Sequence, residues 1–211
     1  MESLDGYIDI KPQDFVVLLV ARLRRDLEQV TITPSVWWFV IQDLDLTLTA
    51  QLVATLSGSM QIGALKKDHQ LIMHAYLNDR TEGKPWPNDK NGRPLVEQLE
   101  NFADLLQRAI IPQGFTAHFS DTPLVLTKAE KKDLLTIHQF RNELSHIKPM
   151  SWSLETIGLP RMTLAALKAI KHLFEHSSQI IYLEQSDIDN CDRDLEFSIV
   201  TVGNTIAATS T

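Results

Sequence analysis

Apolar residues recur along most of this chain at a spacing of three and four, the period of one face of an α-helix. After Pro12, which suits a first helical position because its missing N–H would be unpaired there anyway, an apolar run extends from Phe15 to Leu27. Thr33-Pro34 reads as an N-cap and first position, and Trp37, Ile41, Leu44, Leu48, Leu52 and Leu56 then form one stripe, stopped by Ser57-Gly58-Ser59. Ile62, Leu65, His69, Ile72 and Tyr76 make a third stripe, and Leu95, Leu99, Phe102, Leu106 and Ala109 a fourth. Between them, residues 78–94 hold Gly83, Pro85, Pro87, Asn88, Asn91, Gly92 and Pro94 and read as a long loop with Trp86 inside it. Phe115–Leu126 reads as extended or irregular.

Thr127 and Glu130 have the spacing of a capping box, in which hydroxyl and carboxylate satisfy orphan backbone N–H groups at a helix start. Leu134, Ile137, Phe140 and Leu144 follow at helical spacing, and Pro149 predicts an end near Ile147. Leu159-Pro160 begins another helix, with Met162, Ala166, Ile170 and Leu173 on one side. Leu195–Val202 can form one short C-terminal strand. The pattern predicts an all-α, antiparallel bundle of about five to six helices. It divides into a single helical domain over 1–180 and an acidic appendage over 181–211.

Composition narrows the function. The chain has 211 residues, one cysteine and a net charge of −7. A lone Cys191 excludes an internal disulfide and a multi-cysteine zinc module. An acidic N-terminus (Glu2, Asp5, Asp9) does not read as a secretory signal, and apolar runs are broken by charges, so the expectation is a soluble, cytoplasmic protein with no membrane partner. The charge is uneven. Residues 127–176 carry a net +3 within this acidic chain, whereas Glu184–Glu196 sets six acids against Arg193 alone. Phosphate chemistry therefore belongs to the basic segment, which the acidic stretch can shield.

Motif searches exclude several mechanisms. There is no Walker loop, no Gly-x-Gly-x-x-Gly and no Gly-x-Ser-x-Gly. His172 and His176 lie four apart, but the residues between them are Leu-Phe-Glu rather than the Glu-x-x order of a zinc-protease helix, so no metal and no cofactor are expected. One segment stands apart: Phe140-Arg141-Asn142-Glu143-Leu144-Ser145-His146, an Arg followed by Asn with a His five positions after the Arg. Five helical positions turn about 140°, so Arg141 and His146 share a site only at a distorted helix end or across two copies.

This segment resembles the Arg-x(4–6)-His motif of the HEPN superfamily (higher eukaryotes and prokaryotes nucleotide-binding domains), whose ribonuclease members commonly carry a polar residue directly after the Arg. The resemblance rests on six motif residues and extends loosely over the helices of 33–178. It implies a homodimer in which two copies of Arg141, Asn142 and His146 line one cleft and cleave RNA without a metal, leaving a 2′,3′-cyclic phosphate and a 5′-hydroxyl. It implies a microbial toxin or defence effector restrained by an antitoxin or other regulatory partner. It also implies an acidic residue on another helix touching the Arg, for which Asp43 and Asp45 are the candidates. His138, Ser145 and Lys148 are candidate substrate-binding residues beside the motif, and Trp86 a candidate for stacking on a base. The alternative is a catalytically silent helical module that binds a partner, nucleotide or RNA.

Overall fold

In the computed structural model the described residues are 11–79, 85–96, 98–119, 121–145 and 156–209. At its centre lies α2 (Trp37–Ser57), entered through a 3-10 turn at Pro34–Val36. The stripe read from the sequence is only part of its buried surface, because Asp43, Asp45, Thr47, Gln51 and Thr55 are buried as well. A helix buried on nearly every side needs neighbours all round. These are α1 (Pro12–Gln29), α4 (Phe102–Ile110), α5 (Lys128–Leu144) and α6 (Leu159–Glu175). Its polar groups are satisfied inside this ring: Thr55 Oγ1 donates to the Leu173 carbonyl at 3.1 Å and Gln51 Nε2 to Thr55 Oγ1 at 2.9 Å. By length and composition alone, Pro34–Ser57 meets the criterion for a membrane span, contrary to the reading from sequence, yet 72% of its most apolar window is buried within the protein.

Among the described residues the fold is all helical, with two isolated β-bridges (Leu65 with Leu99, Asn88 with Pro94) and no strand. The strand read at Leu195–Val202 is instead the middle of α7 (Gln185–Thr209). Cys191, Leu195, Ser198 and Val202 are buried at intervals of four, three and four, and their helix packs on α1 and α6. Packing of that face overrides the β-propensity of Phe197, Ile199 and Val200. The acidic segment beyond residue 180 thus contributes Cys191, Leu195 and Val202 to the same core as α1 and α2. Its charges are spent locally. Lys171 Nζ lies 2.5 Å from Asp192, 2.9 Å from Glu196 and 3.0 Å from Glu175. Burial opposes that charge, but the three carboxylates prevail and hold Lys171 above its ordinary pKa.

The fourth helix starts at Phe102, seven residues later than the apolar stripe suggests. Asn101 is its N-cap, accepting from Asp104 N at 3.0 Å, while the backbone before it pairs with the Ala64–Lys66 strip. Lys66 N donates to Gln98 O at 2.9 Å and Glu100 N to Ala64 O at 3.0 Å. Ile62, Leu65 and Leu95 pack with Met73 of α3 (Lys67–Asn78) in a second, smaller cluster. Trp86 belongs to that cluster's edge: its indole N–H donates to Leu95 O at 2.8 Å and its ring meets Tyr76 edge-on at 5.5 Å. Where the sequence reads as extended or irregular from residue 115, the chain instead forms a 3-10 helix at Gly114–Phe119.

The capping box at the start of α5 forms as the sequence predicts. Thr127 Oγ1 accepts from Glu130 N at 3.2 Å, and Glu130 accepts from Thr127 N at 2.8 Å. These bonds hold the Glu130 carboxyl below its usual range. Losing an N-cap of this kind costs about 1 kcal/mol, so Thr127→Ala is expected to lower the melting temperature by roughly 2–4 °C. Calorimetry checks this; an unchanged transition would mean that α5 is set by packing alone.

Candidate functional site

Helices α2 and α5 pack against each other, and each brings polar residues to the contact. On α2, Asp43 and Asp45 are two positions apart and so point about 200° apart around the axis. One carboxylate therefore faces α1 and the other faces α5. Asp43 is held by the Arg22 guanidinium of α1 through both carboxylate oxygens. Burial and the neighbouring Asp43 push the Asp26 carboxyl up, with Arg22 opposing. Of the two candidate acids, the geometry brings Asp45 to the motif helix and leaves Asp43 on the other side of α2.

The Asp45 side chain is only 3% exposed. His138 Nδ1 lies 2.9 Å from its Oδ1 and Arg141 Nε 3.6 Å from its Oδ2. Burial pushes the Asp45 carboxyl above its ordinary value; the His138 hydrogen bond and the His138 and Arg141 charges pull it back only in part. His138, Arg141 and Asn142 stand at i, i+3 and i+4 on α5, so they share one face. Arg141 Nη1 donates to Asn142 Oδ1 at 3.0 Å, and Asn142 Nδ2 is 3.2 Å from His138 Nε2. The four side chains close a ring: Asp45, His138, Asn142, Arg141 and back to Asp45. Phe102 of α4 stacks flat on the imidazole, with centroids 4.4 Å apart and planes 9° from parallel.

Arg141 is 40% exposed and His138 31%, so the cluster is anchored from below and open above. Ser145 turns back: its hydroxyl donates to the Arg141 carbonyl at 2.8 Å, closing the last turn of α5. His146 and Lys148 lie outside the described residues. Sequence reasoning missed Phe102 as a site residue, for its only signal was an apolar position on a helix.

The histidine pair near the end of α6 is occupied otherwise. His172 Nε2 donates to Thr122 O at 3.1 Å and His176 Nδ1 to His172 O at 2.8 Å. Among the described residues no group of three or more His, Cys, Asp or Glu side chains could hold a metal ion. Cys191 is buried in the core, and burial pushes its thiol up to about 12, which keeps it a poor nucleophile.

Fold and site together define an all-α bundle whose fifth helix presents an Arg–Asn–His cluster held by a buried carboxylate from the central helix. No family profile, no curated protein and no solved structure matches the chain.

Proposed function

We propose that this chain is a HEPN-like endoribonuclease domain, active as a homodimer and needing no metal. The observation that carries the reading is the buried Asp45 carboxylate holding Arg141 and His138 on an open surface. Burying a carboxylate in a bundle core is costly unless it is paired and hydrogen-bonded, and the partners of Asp45 are the two side chains of the open surface, His138 and Arg141. Here the carboxylate fixes a permanently charged, planar guanidinium on a partly exposed side chain, the group that suits phosphate oxygens and the charge of a phosphorane-like transition state. An acidic residue from another helix on the motif Arg is also what the family resemblance leads one to expect.

In this reading Arg141 binds the scissile phosphate and Asn142 hydrogen-bonds it. His146 exchanges protons with the 2′-hydroxyl or the leaving 5′-oxygen. A two-fold dimer brings two motifs to one cleft, and dimers of that symmetry are the commonest oligomers. The biological setting that fits is a toxin or defence effector kept in check by a partner protein.

The test is RNA cleavage in EDTA by protein shown to be dimeric by light scattering, comparing wild type with Arg141→Ala and His146→Ala. The expected result is cleavage leaving 2′,3′-cyclic phosphate ends by wild type, reduced at least about 100-fold in both variants. Equal cleavage by all three overturns the reading. RNA binding without cleavage by any of them identifies a silent binding module instead.

A further inference from the structure

The hydrogen bonds around His138 have a single consistent polarity. A guanidinium only donates, so the Asn142 atom beside Arg141 Nη1 is the amide oxygen. The Asn142 amide nitrogen then donates to His138 Nε2, which must offer a lone pair. The ring proton of neutral His138 is left on Nδ1 and is donated to Asp45 Oδ1 at 2.9 Å. The groups facing the ring are Asp45 from α2, Arg141 and Asn142 from α5, and the Phe102 face from α4. A histidine kept for packing alone has no need of a fixed tautomer, a stacked plane and a side chain left 31% exposed.

We propose, resting on the RNA-cleavage reading above, that His138 is a further catalytic residue: its Nε2 accepts the proton of the attacking 2′-hydroxyl. Asp45 is the positioning residue that sets the ring and stabilises the imidazolium as it forms. The incoming hydroxyl displaces the Asn142 amide from Nε2, and that amide turns to the phosphate. The 2′-O–H bond breaks with its proton passing to Nε2, the 2′-oxygen bonds to phosphorus, and the P–O5′ bond breaks. The 5′-oxygen leaves with the bonding pair and takes a proton from water. Nε2 afterwards returns its proton to solvent.

The experiment is a pH–rate profile for cleavage of a short single-stranded RNA set covering every dinucleotide step, with wild type, His138→Gln, Arg141→Ala and His146→Ala. Gln can still donate to Asp45, so the variant keeps the buried carboxylate paired. His138→Gln is expected to retain RNA binding and to lose about 10²–10⁴ in kcat. The limb of the wild-type profile that falls toward acid pH disappears with it. Long-range 1H–15N spectra of the wild type are expected to show His138 protonated on Nδ1. A His138→Gln rate within threefold of wild type, with Arg141→Ala and His146→Ala inactive, removes His138 from the mechanism and leaves the nuclease reading standing. Arg141→Ala and His146→Ala as active as wild type, or no cleavage by wild type, overturn both. Should His138→Gln fail to fold, the spectra decide, for an Nε2-protonated ring overturns the proposal whatever the activity.

Discussion

Asp45→Asn is expected to lower RNA cleavage by about 10²–10⁴-fold while melting no lower than wild type at neutral pH. The two halves of this result have one cause. The substituted amide can accept from His138 Nδ1–H through its oxygen, but its nitrogen then faces the Arg141 guanidinium, donor against donor. Turned the other way, it donates to Nδ1 and forces the ring proton onto Nε2, where Asn142 also donates. The first orientation keeps the Nε2 lone pair but repels the Arg141 guanidinium that holds the phosphate, and the second removes the lone pair. Stability goes the other way because the folded environment raises the Asp45 pKa, chiefly by burial. A group with a raised folded-state pKa contributes stability below that pKa and loses it as pH rises through it. The ionised carboxylate is therefore a cost at neutral pH that a neutral amide escapes. Melting curves from acid to neutral pH check the sign: the advantage of the variant should grow as pH rises through the Asp45 pKa, then level off. A variant that melts lower at neutral pH while cleaving RNA normally would reduce Asp45 to a structural ion-pair partner.

Gly63→Ala is expected to be the most damaging small substitution in the bundle, costing about 3 kcal/mol and lowering the melting temperature by roughly 6–12 °C. A Cβ at this position would stand 1.9 Å from the Leu56 carbonyl oxygen. The obstacle is backbone, so no rotamer relieves it. Moving residue 63 also disturbs its own carbonyl, which accepts from Gln70 Nε2 at 2.8 Å and Arg108 Nη1 at 2.9 Å. Those bonds join α3 and α4 to the end of α2. The control is Gly203→Ala, inside α7 with nothing within 4 Å of the added carbon. There the methyl only raises helix propensity, and a gain of up to about 1 kcal/mol is expected. Paired chemical denaturation of the two variants checks the contrast. A Gly63→Ala protein as stable as wild type would mean that the 56–63 turn relaxes freely.

The helices at Pro12, Trp37, Lys128 and Leu159 are legible in sequence because each start carries its own chemistry: a proline in the first turn, Pro34 in the 3-10 turn that leads into Trp37, or the Thr127–Glu130 box. The α4 boundary was not legible from hydrophobic periodicity. Leu95 and Leu99 fall on the right period but belong to an extended stretch hydrogen-bonded, in part, to the 64–66 backbone. Nor was α7, where alternating and helical readings of Leu195–Val202 compete and only burial against α1 and α6 decides between them.

At the site, the sequence alone determined that Arg141, Asn142 and His138 share a helical face, since spacing of three and four places them there. It determined also that Asp43 and Asp45 could not both serve that face, because two positions on a helix point nearly opposite ways. Only the tertiary structure decided which. The way α2 lies between α1 and α5 gives Asp43 to Arg22 and Asp45 to His138 and Arg141. The stacking of Phe102 on His138 is likewise a product of packing, for a side chain 36 residues away along the chain leaves no mark on the pattern around the motif. Local spacing fixes which groups stand together on one helix, whereas what faces them across a bundle depends on how the helices pack against one another.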